Sequence, residues 1–173
     1  MVAGTTRGGV LDITSGSNDG AGIQAQHASV SWLPAADKHL WFECRVTLAD
    51  ADDIDWMVGL AATDTNVFST DPAELIVFRG DDGDANIDFQ VRNGGTGAQA
   101  DTTVDTANTT AVRLGFYVSG ATTVTPYING TAYTAVTTNI PTTAMRLTFG
   151  CLGGATTATN TLGLDWYRVL QLR

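Results

Sequence analysis

The sequence predicts an all-β chain, a two-sheet antiparallel β-sandwich with no substantial helix, on three observations. Apolar and polar residues alternate with a period of two through the main apolar stretches, most clearly from Leu40 to Leu48 and from Val112 to Val118. Clusters of Gly, Asn, Asp and Ser interrupt these stretches roughly every 8 to 12 residues, the spacing of short strands joined by turns. Gly, Thr, Ala and Asp abound, while Glu43 and Glu74 are the only glutamates and Lys38 the only lysine. Surface helices draw on Glu, Lys and Leu, so this composition disfavours them. The 173 residues suit one domain with a substantial core. No fixed-period repeat is visible, which argues against a propeller or solenoid.

Residues 1–22 read as a small-residue N-terminal arm with a first short strand at Val10–Ile13, an element suited to contacting a partner. Residues 23–173 form the sandwich. Ser15–Gly22, SGSNDGAG, is a turn cluster. Ile23–Leu33 alternates loosely and reads as a strand ending at Pro34. Two long strands follow, with Leu40, Phe42, Cys44, Val46 and Leu48 on an apolar face and Trp41, Glu43, Arg45 and Thr47 on a mixed one. Trp56, Val58 and Leu60 then alternate with Met57, Gly59 and Ala61, so both faces of that strand are covered or the outer one is small. The spacing predicts that these two strands form one hairpin, with an acidic tip at Ala49–Asp55. Ala62–Ala73 reads as a loop carrying the chain across the sandwich. Leu75–Arg79 is a short strand stopped by GDDGD. Ile87, Phe89 and Val91 face inward on the next, and NGGTG turns the chain into a Thr-rich edge strand from Ala98. Val112–Val118, Val124–Ile128, Thr131–Val136, Met145–Cys151 and Leu162–Leu172 complete roughly a dozen strands. Asn129-Gly130 is the strongest hairpin signal, because a type I′ turn needs positive φ at both central positions.

A net charge of −9 argues against nucleic acid, whose phosphates require clustered Lys and Arg, and against an anionic membrane surface. No apolar run is long enough to span a bilayer as a helix. The start, MVAGTTRGGVLD, lacks the apolar core of a signal peptide, so synthesis in a cytoplasm is expected. Cys44 and Cys151 fall in apolar strand phases and read as buried free thiols; a disulfide would need Cβ atoms about 3.8 Å apart, which spacing in sequence does not reveal. His27 and His39 read as strand-face residues, since no nucleophile motif accompanies them.

A WFECRV strand, a GLA strand, a short strand before an acidic turn, an RLGFYV strand, a YING hairpin and a closing LDWYRV strand follow one another. This order resembles the concanavalin A-like jelly roll of lectins, laminin G modules and glucanases, over residues 23–173. More narrowly, LWFECRVTLADADDIDWMVGLAATDT is similar to a stretch of tailed-phage virion proteins of this fold, including capsid decoration proteins. That resemblance implies a structural virion protein on the capsid exterior, made in the host cytoplasm. It would bind the major capsid protein, act as a homo-oligomer and stabilise contacts between capsid subunits. The alternative on the same fold is a carbohydrate-binding module or a receptor-binding virion protein.

Catalysis, cofactors and metals have little to stand on in the sequence. A glucanase of this fold would carry alternating carboxylates of the E-x-D-x-E kind, and retaining hydrolysis needs a pair about 5 to 5.5 Å apart. Glu43 and Glu74 are isolated, and Asp53 and Asp55 lie in a turn, so no enzyme is expected and no cofactor. Asp81, Asp82 and Asp84 are weak calcium candidates whose spacing misses the EF-hand pattern; solvated turn residues are the plainer reading. Arg79-Gly80-Asp81 is an RGD triplet at a strand–turn junction, of a kind that chance produces. The outward phases carry Trp41, Glu43, Arg45, Arg113 and Tyr117. Aromatic and Arg residues side by side suit a glycan platform or a protein contact, and the prevalence of Arg over Lys leans toward the protein contact. A polar outer face with local ion pairs is the bland alternative. Trp56 and Trp166 share apolar phases and are expected in the core.

Overall fold

A computed structural model describes residues 9–156 and 159–172. In chain order the strands are β1 (Leu11–Thr14), β2 (Gly22–Gln26), β3 (Leu40–Leu48), β4 (Ile54–Ala61), β5 (Leu75–Gly80) and β6 (Asn86–Asn93). They continue with β7 (Thr96–Asp105), β8 (Val112–Ser119), β9 (Thr123–Ile128), β10 (Thr131–Ala132), β11 (Arg146–Gly153) and β12 (Thr161–Gln171). Sheet A runs β1-β12-β3-β8-β9-β10 and sheet B runs β2-β11-β4-β5-β6-β7. Every pairing is antiparallel. No helix occurs among the described residues, and the expected all-β sandwich is the observed architecture. Of the expected N-terminal element, the arm at residues 1–8 lies outside the described residues, while β1 pairs with β12.

The apolar phases meet between the sheets as the alternation requires. Phe42 and Phe116 of sheet A stack at 4.8 Å, Phe116 meets Phe89 of sheet B at 5.9 Å, and Phe89 meets Phe78 at 4.9 Å. This run of rings joins the two sheets at the centre of the core. Cys44 and Cys151 are buried free thiols. Burial pushes the Cys151 thiol up to about 11 and moves Cys44 in the same direction. The two tight hairpins form as expected, with positive φ at Gly94 and Gly95 and at Asn129 and Gly130.

Four local expectations are corrected. The strands β3 and β4 do not pair: β3 lies between β12 and β8, and β4 between β11 and β5. The acidic link therefore turns a corner between sheets, with Ala51 buried beneath it and held through its N–H by Asn108 at 2.7 Å. Placed in different sheets, each strand gains two hydrogen-bonded neighbours and buries its apolar phase in one shared core. The loop 62–74 does not cross the sandwich, because β4 and β5 are neighbours in sheet B. It folds back over the outer face of sheet B, where Val67 and Phe68 pack on Met57, Ala61, Leu75 and Val77. Gly150 makes room for Phe68, since a Cβ there would lie 2.8 Å from that ring. The side chains of Gln24 and Gln26 bond the loop backbone at Asp64, Val67 and Ala62.

The third correction is that the strand expected at Ile23–Leu33 stops at Gln26; beyond it the His27 N–H bonds the Leu147 carbonyl at 2.9 Å and Trp32 bridges Met145. The fourth concerns Trp166. Leu164 pairs with Val46 and Trp166 with Arg45, leaving Asp165 as an extra residue. This β-bulge reverses the phase of the strand beyond it. Trp166 consequently faces outward and is 37% exposed, whereas Trp56 is buried in the core as expected.

Candidate functional site

The outer face of sheet A is a lattice set by cross-strand register. One row runs Arg168, Glu43, Gly115 and Tyr127 across β12, β3, β8 and β9. The next row, two residues along, runs Leu170, Trp41, Tyr117 and Thr125. On the other side lie Trp166, Arg45 and Arg113. Neighbouring residues on one face interact directly, so chemistry scattered through the chain becomes contiguous here.

Glu43 sits at the centre and is only 6% exposed. Its Oε1 lies 3.3 Å from Arg113 Nε, and its Oε2 forms an ion pair with Arg168. A buried carboxylate needs such partners to remain charged. Trp41 is wedged between two tyrosines, with ring centroids 5.3 Å from Tyr127 and 6.1 Å from Tyr117. Tyr117 is fixed in turn by a 2.7 Å hydrogen bond between its hydroxyl and His39 Nδ1 and by ring stacking at 5.6 Å. Gly115 keeps the floor low: a Cβ there would come within 3.0 Å of the Phe42 carbonyl oxygen and 3.3 Å of Glu43 Cγ.

Two hollows result, sharing Trp41 as a wall. The first, about 310 Å³, is lined by Trp41, Glu43, Arg113, Gly115, Tyr127 and Arg168, with Gly130 at its rim. The second, about 350 Å³, is lined by His39, Trp41, Tyr117, Leu170 and Leu172, among others. Trp41, Glu43, Arg113 and Tyr117, singled out from sequence, are thus brought together. Arg45 is on the same face but turns to Asp165 at 2.6 Å and lines neither hollow. Arg168 is not anticipated from sequence, His39 is read there only as a strand-face residue, and Tyr127, though an aromatic able to stack on a sugar ring, is not placed on the outward face. Tyr127 could have been found, because it stands two residues before Asn129-Gly130 and the hairpin fixes its phase. Arg168 could not, because the bulge at Asp165 reverses the phase that the earlier half of β12 suggests.

The calcium candidates are not brought together. Asp81 pairs with Arg79 at 2.6 Å, Asp82 accepts the Ala155 N–H at 3.0 Å, and Asp84 accepts the Asn86 N–H at 2.9 Å. Among the described residues no three His, Cys, Asp or Glu side chains are arranged to hold a metal ion. The same contacts tie Arg79 of the RGD triplet to Asp71 and Asp81.

Asp53 does structural work nearby. Its carboxylate accepts the Thr156 N–H and the Asn160 Nδ2, each at 3.0 Å, as well as the Thr156 hydroxyl. These bonds hold the carboxyl below its usual range. Asp55, which lies within β4 rather than in the turn, is raised by burial, with Asp81 and Asp82 adding to the shift against a hydrogen bond from the Asp82 N–H. The two contributions have opposite signs. The stability from Asp53 is complete above the unfolded-state value and is lost as pH falls through its folded value; that from Asp55 is present at low pH and is lost as pH rises through its folded value. Asp53→Asn is expected to lower Tm at pH 7, with the deficit shrinking toward pH 3. Circular-dichroism melts across that range check it.

With two facing antiparallel sheets, the chain has the concanavalin A-like jelly roll of glycosidases and lectins. No protein-family model matches it, and no curated protein does. Among solved structures it is similar to a glycosidic hydrolase, with TM-score 0.66 and 15% identity over 96% of this chain and 78% of that one. It is similar to a prokaryotic β-1,3-1,4-glucanase (lichenase) from a mouse hindgut metagenome, with TM-score 0.67 and 14% identity over 93% and 79%. It is also similar to the alginate lyase AlyC3, with TM-score 0.60 and 11% identity over 95% and 75%. Nothing in these comparisons indicates a phage virion protein. They also correct the expectation that the chain is not an enzyme, because these similar structures, a glycosidic hydrolase, a glucanase and an alginate lyase, are enzymes by name. The lack of one carboxylate motif is no ground for excluding catalysis on a fold that hosts several chemistries.

Proposed function

We propose that the outer face of sheet A binds carbohydrate. The observation that carries this reading is Trp41, held between Tyr117 and Tyr127 beside a hollow floored by Glu43, Arg113 and Arg168. A sugar ring offers an apolar face to an aromatic ring and hydroxyl groups to charged hydrogen-bonding side chains. Arg donates in a fixed planar fork, and Glu43 accepts. Rings locked by their neighbours lose little freedom when a ligand stacks on them. Similar structures include a glucanase and an alginate lyase, whose names point to polysaccharides, and this supports the reading from the side of the fold. The outer face of sheet B offers less room, since the loop 62–74 covers its apolar centre.

The test is a glycan microarray with the purified chain, followed by affinity electrophoresis in gels containing the polysaccharides that score. Trp41→Ala is expected to abolish retardation, by at least tenfold in apparent affinity, while the far-ultraviolet spectrum stays unchanged. An array without hits, or a Trp41→Ala variant retarded as strongly as the parent, overturns the proposal. Reducing-end release measured in the same mixtures reports whether the bound polysaccharide is also cleaved.

A further inference from the structure

We infer that this face recognises two adjoining sugar units of a chain rather than a single sugar, one unit on each side of Trp41. The inference rests on the carbohydrate reading above and names the class of ligand: a linear oligosaccharide of at least two residues.

The argument starts from size. Hollows of about 310 and 350 Å³ lie at the small end of the roughly 300–1,000 Å³ range of ligand sites. They are two separate hollows side by side rather than one long groove. They share Trp41, so a ligand filling both must pass across that ring, and Tyr117 and Tyr127 flank it from opposite hollows.

The chemistry of the two hollows then differs. The first is polar, with the Glu43 carboxylate between Arg113 and Arg168. Both arginines are about half exposed and keep N–H groups free to meet hydroxyl, ring or carboxylate oxygens. Oε2 of Glu43 receives no well-directed hydrogen bond among the described residues, although Arg168 lies within ion-pair reach. Oε2 is itself buried, so the hydrogen-bonding capacity that this hollow offers a ligand lies on the exposed guanidinium groups of Arg113 and Arg168. The second hollow is walled by Leu170, Leu172 and the rings of Trp41 and Tyr117, with the His39–Tyr117 pair as its polar edge. It suits the apolar face of a second ring. Leu170 and Leu172 are 62% and 59% exposed, a large apolar surface to leave in water without a ligand.

A length series on the full chain tests this, using tryptophan fluorescence and calorimetry. One arm uses glucose and β-gluco-oligosaccharides of two to six units; the other uses mannuronate and its oligomers, which separates neutral from acidic chains. Affinity is expected to rise at least tenfold from one unit to two or three, and to change little beyond four. Arg168→Ala and Leu170→Asp alter exposed side chains on opposite sides of Trp41, and each is expected to return the disaccharide to monosaccharide affinity; Tm stays nearly unchanged in Leu170→Asp and falls in Arg168→Ala, which leaves the buried Glu43 with Arg113 alone. A monosaccharide that binds as tightly as its oligomers overturns the inference and leaves the carbohydrate reading standing. So does a Leu170→Asp variant with parental disaccharide affinity. No binding in either arm, together with an empty microarray, overturns both.

Discussion

Phe116→Ala is expected to destabilise the protein by about 3–5 kcal/mol, the usual cost of truncating a buried phenylalanine. Phe116 is fully buried in β8 and touches rings on both sides of the core, Phe42 within sheet A and Phe89 across in sheet B. Removing it takes away the link in the chain of rings that joins the two sheets. Typical domains are stable by only about 5–15 kcal/mol, so this one change removes a large share of the total. Urea denaturation should show the midpoint falling with the slope unchanged. Thermal melts should show Tm lower by about 6 to 20 °C, given roughly 2 to 4 °C per kcal/mol at this size. Phe116→Leu, which leaves a smaller cavity, should lose markedly less. Equal losses for the two variants would place the energetic centre of the core elsewhere.

Asp71→Ala is expected to be the most damaging change outside the core, at about 2–3 kcal/mol. Breaking a buried ion pair costs about 3–5 kcal/mol, and partial exposure of these groups reduces that figure. Asp71 holds Arg79 at 2.9 Å and Arg92 at 3.0 Å, and accepts from Gln90 at 3.2 Å. Its loss leaves Arg79 with Asp81 and strips Arg92 of its ion-pair partner among the described residues. Asp71 also belongs to the loop that covers Met57, Ala61, Leu75 and Val77. Hydrogen exchange at the amides of Asp64 and Val67, now bonded to Gln26 and Gln24, should accelerate more than exchange in β8. Equal acceleration everywhere would mean that Asp71 supports the whole fold rather than the loop.

Much of the fold was legible because strand periodicity is a local property. Val112, Leu114, Phe116 and Val118 announce their burial whatever lies beside them, and all four are buried. Asn129-Gly130 and NGGTG are equally local, since positive φ at successive residues belongs to the turn itself. The outer positions of β4, Met57, Gly59 and Ala61, left open whether that face is covered or merely small, and the loop 62–74 is the cover. The pairing of β3 with β12 and β8 was not legible. An acidic connection of a few residues serves a hairpin or a corner between sheets equally well, and the choice depends on strands more than fifty residues away.

The same division runs through the candidate site. Trp41, Glu43, Arg113 and Tyr117 could be assigned to outward phases strand by strand, which is why they could be named from sequence alone. Tyr127 required the hairpin register. Arg168 required the bulge at Asp165, a single extra residue that reverses every side chain after it. The sequence by itself determined an all-β sandwich, its main inward stripes and its type I′ turns, because each depends on neighbours within a few residues. Only the tertiary structure decided that Arg168, Glu43, Gly115 and Tyr127 share one row and that Trp41 divides two hollows. Register between distant strands is set by hydrogen bonds and packing across the sheet, and no single strand carries that information.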